Sequence, residues 1–415
     1  MTMWRIKVLI FILFSWSFYA NAQAVVSPYS SNGLGELSYP GMPHNLAMGE
    51  VGIATPTFWH INNVNPALAV YNTLTTFQVG LQGDIRNFTT EETAQSSGTA
   101  GMRYLNISFP IIAGKWTSAV ALLPYSTVNY DFFSRQNIVG TELESVNAFE
   151  GEGGLSRLDW NNGVAITKDL AIGLKSTFIF GSVRNQLESF VEGNDTPFNI
   201  IYNNEITYAD FAFQVGGFYR MKLSEEQTLN FGLTYDISST LSGTRDETFS
   251  RQGGATVIQT QDISLDQNAD YELPSAVGLG VSYQIQNRWI VAADFSRGSG
   301  GEYDINPNFR NDLKLSLGAE FVPDYTNVRS YWNRVFYRAG FTYKQLPYIV
   351  NDVELDDIGV TFGATFPINA VSTIDSAFKF GWRGTTDNNL IRENYFQIVV
   401  GATINDRWFI KRRFE

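Results

Sequence analysis

The sequence contains only two histidines, His44 and His60, and no cysteine, which limits the chemistry that the chain can perform. A serine hydrolase needs a histidine beside its nucleophile, and no Gly-x-Ser-x-Gly nucleophile turn occurs in the sequence. Clusters of metal ligands at the usual spacings are also missing. The sequence therefore predicts no catalytic residue, no metal site and no cofactor, and it favours a protein that is not an enzyme.

Basic residues on the polar faces of predicted strands are candidates for binding the carboxylate of a ligand. A carboxylate in a low-dielectric interior favours nearby cations, and arginine can bind it through two hydrogen bonds. The alternative is internal pairing with acidic residues such as Asp236, Asp294 and Glu320, because a buried charge needs a partner. Of the two, internal pairing is the stronger expectation. The candidates are Arg338, Lys344, Lys379 and Arg383.

Residues 30–69 form a Pro- and Gly-rich stretch with no sustained apolar period of 2 or 3.6 residues. Gly33 and Gly35 permit positive φ, and Pro66 fixes φ and removes a donor. In Asn65-Pro66-Ala67, the asparagine side chain can bond the nearby backbone, so a defined turn is expected there. Such a stretch folds only when something encloses it. We therefore expect residues 23–72 to form a plug.

From residue 73 onwards, apolar and polar residues alternate with period 2. In residues 312–322, for example, leucines at 313, 315 and 317 alternate with Lys314, Ser316 and Gly318. A soluble β-sandwich can show this alternation, but strands of ten residues or more suit a tilted membrane strand better. The predicted strands lie at about 73–86, 99–111, 116–131, 149–166, 170–186, 200–222, 227–245, 271–285, 288–297, 312–322, 334–345, 352–366, 373–384 and 391–407.

The expected fold is all-β: a closed transmembrane antiparallel β-barrel of about fourteen strands, an even number. Closure follows because an open sheet edge has no hydrogen-bond partners in hydrocarbon. Short turns are expected at one end of the barrel, and long polar loops at the other, near 86–98, 132–148, 185–199 and 245–270. The barrel, residues 73–415, and the plug are expected to form one folding unit.

Pro124 interrupts the third predicted strand. Proline removes a ladder hydrogen bond and marks sheet edges or bulges. Pro124 is therefore a candidate for a kink in this strand, and an ordinary bulge near the rim is an equal alternative.

Residues 1–22 have the three parts of a secretory signal peptide: basic Arg5 and Lys7, an apolar run, and a small-residue cleavage site ending at Ala22. Its removal would leave a net charge two units more negative than −12. A strongly acidic exported chain is a poor candidate for nucleic-acid binding.

The motif Ser30-Ser31-x-Gly33-Leu34-Gly35, followed by Asn65-Pro66-Ala67-Leu68 ahead of many strands, resembles the amino-terminal hatch of the FadL family of long-chain fatty-acid transporters. The resemblance implies a fourteen-stranded barrel in the outer membrane of a Gram-negative cell. It also implies that Gly33, Gly35, Asn65, Pro66 and Ala67 belong to a gating hatch. In such barrels a kinked early strand opens a side gap toward lipid, the role that Pro124 would have.

The implied function is passive uptake of hydrophobic molecules such as fatty acids, with outer-membrane lipid as the surroundings. The alternative is that of FadL-like barrels that do not transport and serve as a subunit or scaffold of a secretion or surface-attachment complex. Residues 40–44 and 56–60 are additions to the transporter pattern and leave the gating mechanism open.

Overall fold

The computed structural model describes residues 27–192, 198–253, 256–327, 329–369 and 371–406 of the 415-residue chain. The predicted signal peptide and the aromatic and basic carboxyl terminus, residues 407–415, lie outside the described residues. Within the described part, no helix is long and apolar enough to cross a membrane.

Strands make up most of the described chain, and the helices are short. The helices are α1 (Pro43–Leu46), α2 (Glu302–Ile305) and the 3-10 helices Pro28–Ser31, Pro66–Tyr71, Trp332–Arg334 and Asp387–Asn389. The strands are β1 (Glu36–Leu37), β2 (Thr75–Thr89), β3 (Ala94–Ile112), β4 (Trp116–Thr127), β5 (Tyr130–Asn137), β6 (Glu144–Ala165), β7 (Leu170–Glu192), β8 (Phe198–Lys222), β9 (Gln227–Ile237), β10 (Ser239–Leu241), β11 (Gly243–Gly253), β12 (Thr256–Asn268), β13 (Tyr271–Leu273), β14 (Ser275–Ile285), β15 (Trp289–Ser299), β16 (Leu313–Phe321), β17 (Phe336–Val350), β18 (Val353–Pro367), β19 (Ser372–Arg383) and β20 (Arg392–Asp406).

The strands form a closed antiparallel barrel of fourteen, as predicted. β2 pairs with β3 on one side and with β20 on the other, from Thr75 opposite Asp406 to Thr89 opposite Arg392, so the last strand closes the cylinder on the first. Three barrel strands are interrupted: β4 continues as β5, β9 continues through β10 and β11, and β12 and β13 lead into β14.

The apolar face of the barrel strands points away from the barrel axis. Leu81 on β2 is 63% exposed, whereas Gln78 on the same strand is 1% exposed. On β18, Val360 lies outside and Thr361 is buried. A soluble sandwich would bury the apolar face instead, so the outward orientation produces an apolar belt around the barrel.

The four connections that we predicted as long polar loops are mostly strand, and this prediction was wrong. The hairpins continue beyond the apolar belt in register, as in β6 and β7, which pair from Glu144 opposite Glu192. On β7 the last strongly exposed apolar residue is Phe180, about twelve residues before the strand ends, which is roughly 40 Å of further strand. Apolar and polar residues do not alternate regularly in these segments, so periodicity alone does not mark them as strand.

Six of these extensions pair side by side into what we call the upper sheet. It consists of β5, the upper parts of β6, β7 and β8, and β11 and β12. The opposite end of the barrel has short turns, for example at residues 113–115, 166–169 and 286–288. We call the two ends the upper end and the short-turn end.

Candidate functional site

The plug, described from Ser27 to Asn72, is buried inside the barrel, and its contacts with the wall form the candidate site. Asn65 is the amino-terminal cap of the 3-10 helix Pro66–Tyr71, since its side-chain oxygen accepts from the Ala67 backbone N–H at 3.0 Å. Its side-chain amide donates to the carbonyl of Ile53 at 2.8 Å and to that of Gly217, on β8, at 3.0 Å. The expected turn is therefore present, and it joins two parts of the plug to the wall.

Glycines on the inner face of the wall allow the plug backbone to approach closely. A Cβ atom at Gly173, on β7, would lie 2.3 Å from the Ala67 nitrogen, and one at Gly340, on β17, would lie 2.1 Å from the Gly49 nitrogen. Neither position could hold a larger residue without moving the backbone. We call these residues the glycine cradle: Gly163, Gly173, Gly216, Gly232, Gly278, Gly280, Gly318, Gly340 and Gly363.

Glu50 of the plug lies at the centre of a buried charge cluster in the lumen. It has a positive φ of 62° and is 2% exposed. The ammonium groups of Lys314 on β16, Lys344 on β17 and Lys379 on β19 each lie 2.9 Å from its carboxylate. Burial alone would raise the pKa of the Glu50 carboxyl, but the three cations together hold this pKa well below its ordinary value.

The two candidate arginines also have carboxylate partners inside the barrel. Arg338 lies 2.6 Å from Glu320. Arg383 lies 2.9 Å from Asp357 and 2.9 Å from Glu36 of the plug. Lys344 and Lys379 therefore meet at Glu50, whereas Arg338 and Arg383 belong to two other ion-pair groups. Their binding of a ligand carboxylate stays a prediction.

Gly33 and Gly35 lie in the upper half of the lumen, away from Asn65. Both have positive φ, 57° and 94°, and a Cβ at Gly35 would lie 2.6 Å from the Thr127 carbonyl oxygen. Between them Leu34 is 4% exposed and packs in an apolar cluster with Tyr130 and Tyr208. The side chain of Leu34, in the amino-terminal segment of the plug, thus fills part of the upper lumen.

The two histidines stack on each other in the plug, with ring centroids 4.5 Å apart. His60 Nε2 lies 2.9 Å from Asp375 of β19. Neither ring nitrogen of His44 has a hydrogen-bond partner among the described residues. Burial, followed by the neighbouring His60, lowers the pKa of His44 well below its usual value. Both rings line a cavity of about 820 Å³ at the short-turn end, together with Trp59 and Phe336.

Pro124 lies at an irregularity in the wall. The pairing of β4 with β6 shifts register between Pro124 and Ser126. The ladder between β3 and β4 stops at the pair Leu105–Leu122, so the described strands are unpaired with each other above this point. β1 of the plug partly occupies the space, since Leu37 pairs with Ser126 of β4. A small cavity lined by Tyr39, Met42, Arg103, Leu123 and Pro124 lies there.

Sequence reasoning missed Glu50 and the glycine cradle. Glu50 carries no local motif, and its three lysines are more than 260 residues away along the chain. The cradle did leave a signal: glycines recur at polar-face positions of the predicted strands, where a large inward side chain would otherwise be expected.

Solved structures with the same fold are channels for hydrophobic compounds. The toluene transporter TodX of Pseudomonas putida has a TM-score of 0.56 and 17% identity, covering 91% of this chain and 100% of its own. The toluene transporter TbuX of Ralstonia pickettii has a TM-score of 0.57 and 15% identity, covering 89% and 99%. A FadL homologue of Pseudomonas aeruginosa has a TM-score of 0.59 and 11% identity, covering 89% and 99%.

These identities establish the similarity of fold and leave the cargo open. No curated protein matches the sequence. One family model spans almost the whole chain, both plug and barrel, since BamG matches residues 3–415. The chain therefore belongs to the BamG family.

Proposed function

We propose that this chain is a sealed outer-membrane barrel that acts as a subunit or scaffold of a multiprotein assembly. The observation that carries the proposal is the attachment of the plug: Glu50 bonds to three strands at once, and the plug backbone lies directly against the glycine cradle. A plug that must move aside for each cargo molecule would need to break all of these contacts.

The membrane location is inferred from the apolar belt and from the closure of the barrel. Outward residues such as Leu233, Val291 and Leu317 are about half exposed, on three different strands. At about 25 cal/mol per Å² of apolar surface, leaving such a belt in water would be strongly unfavourable, whereas lipid chains cover it. Among the described residues, the closed ladder leaves only the stretch of β3 and β4 above Leu105 and Leu122 unpaired.

The upper sheet supports the assembly role. A barrel that needs only to cross the membrane has no use for six paired strands beyond its apolar belt, the β7 extension alone having roughly 40 Å of strand. A paired sheet of this kind offers a surface for another protein.

The second candidate is passive uptake of hydrophobic molecules, such as toluene-like hydrocarbons or long-chain fatty acids. The observation that favours it is the unpaired stretch between β3 and β4 beside Pro124, which would let a molecule leave sideways into lipid. In this case Asn65, Pro66 and Ala67, with Gly33 and Gly35, would belong to the moving hatch. Arg338, Lys344, Lys379 or Arg383 would receive a cargo carboxylate, in exchange for the internal partners described above.

Two measurements on the same strain separate these functions. Tagged protein is extracted from native membranes with a mild detergent and its partners are counted, and uptake of labelled palmitate and toluene is compared between a deletion strain and the complemented strain. The assembly role predicts a stoichiometric partner and equal uptake in both strains. A protein that purifies alone, with an uptake defect that the gene restores, would overturn the proposal in favour of transport.

A further inference from the structure

The outer edge of β12 is an open sheet edge. β12 pairs with β11 from Gly253 opposite Thr256 to Thr244 opposite Asn268, and no other described strand pairs with it. The next strand around the barrel, β15, ends at Ser299 opposite Ser275, which is below β12. One row of backbone N–H and C=O groups along β12 therefore faces outward from the upper sheet.

Proteins guard exposed edge strands with lysine, proline, inward charges or β-bulges. β12 has bulges, since its pairing with β11 skips residues 258, 263 and 265–266, but it has no guarding lysine or proline. Residues 256–268 contain no proline, lysine or arginine, and residues 256–261 carry no charge at all. The edge at the opposite side of the upper sheet differs, because Arg135 on β5 forms ion pairs with Glu144 and Glu192.

Contact with membrane lipid does not account for the exposure of the apolar residues on β12. Val257, Ile258, Ile263 and Leu265 are each 51–54% exposed, and they lie on a segment that also carries Asp262 and Asp266. The segment belongs to the upper sheet, beyond the apolar belt. Exposed apolar side chains beside an open edge without lysine or proline are the features of a strand that another chain completes.

We propose that β12 is the docking edge for an extended segment of another protein of the assembly, which adds to the upper sheet as a further antiparallel or parallel strand. This inference rests on the proposed function and names the surface through which the assembly forms. Backbone hydrogen bonds provide the affinity, and the apolar residues of β12 contact every second side chain of the partner strand. Asp262 and Asp266 select a segment with lysine or arginine at its flank.

A second copy of this chain fits the edge poorly. β12 has two carboxylates and no cation, so pairing of two β12 edges would bring like charges together. Like charges opposite each other in a sheet are destabilising. The chemistry therefore favours a different protein over self-association.

The first test is photo-crosslinking in intact cells. A photo-reactive amino acid replaces Gln259 on β12, and the control carries it at Val139, which is 99% exposed at a hairpin tip of the same sheet. We expect an adduct with another protein from position 259 only. An adduct with the mass of two copies of this chain, or equal adducts from both positions, would overturn the docking edge.

The second test is the double substitution Ile258→Lys and Ile263→Lys, with Val139→Lys as the matched control. Lysine on the edge should lower the co-purified partner by roughly tenfold while the barrel keeps its folded gel mobility, and the control should leave both unchanged. A partner that still co-purifies fully with the double variant would overturn the edge but leave the assembly role standing. If the wild-type protein has no partner at all, the proposed function itself fails.

Discussion

At the scale of single residues, the interior is organised around buried charges that satisfy one another. Glu50 has a strained backbone and three lysines, and its removal would leave those cations without an anion. Breaking a buried ion pair by deleting one member commonly costs about 3–5 kcal/mol. Glu50 is therefore the residue whose loss should loosen the plug most.

The substitution Glu50→Gln should lower the free energy of unfolding by about 3 kcal/mol or more. The measurement is urea unfolding of the detergent-solubilised barrel, followed by its shift in gel mobility. The control is Glu354→Gln, because Glu354 is an exposed partner of Arg310 and exposed ion pairs contribute at most about 1 kcal/mol. Equal stability of the two variants would contradict the role of Glu50.

His44 should make the protein less stable in mild acid. Its pKa in the folded protein is lowered by burial, so the unfolded chain takes up the proton first as the pH falls. The stability linked to His44 is therefore complete above about pH 6.5, its unfolded value, and is lost progressively below it. The other charged groups near the ring are Arg338 and Asp375, and His60 stacks on it.

His44→Phe keeps a flat ring against His60 and removes the titrating group. The loss of stability between pH 7.5 and 5.5, measured from urea midpoints, should be smaller in this variant than in the wild type. An unchanged pH dependence would show that His44 does not titrate in this way.

At the scale of elements, the fit between plug and wall depends on the glycine cradle. Gly173→Ala would place a Cβ 2.3 Å from the Ala67 nitrogen, a backbone atom that cannot move alone. We expect a loss of about 1–3 kcal/mol and faster proteolysis of the plug. Gly217→Ala is the control, since no atom lies within 4 Å of a Cβ at that position. Similar behaviour of both variants would argue against close packing of the plug.

The elements also show what the sequence could and could not predict. The barrel was predictable because Leu313, Leu315 and Leu317 repeat with the period that only a strand produces. β12 and the end of β7, beyond residue 186, were missed because apolar and polar residues do not alternate regularly there. The turn at Asn65 was predictable from local chemistry, whereas its bond to Gly217 depends on pairing 152 residues apart.

At the scale of the whole molecule, the protein is a plugged barrel whose upper sheet extends beyond the apolar belt. We propose that the plug stays in place while the protein works. The chain contains no cysteine, so two introduced cysteines can be oxidised without interference from others. Leu37 of the plug and Ser126 of β4 are direct antiparallel partners, whose Cα separation of about 4.5–5.5 Å suits a disulfide.

The most direct test is to compare the Leu37→Cys/Ser126→Cys variant in its oxidised and reduced states with each single-cysteine control. We predict that the oxidised protein retains its partner, complements the deletion strain and takes up no more and no less hydrophobic solute than the reduced form. Uptake of palmitate or toluene that stops on oxidation and returns on reduction would contradict the account.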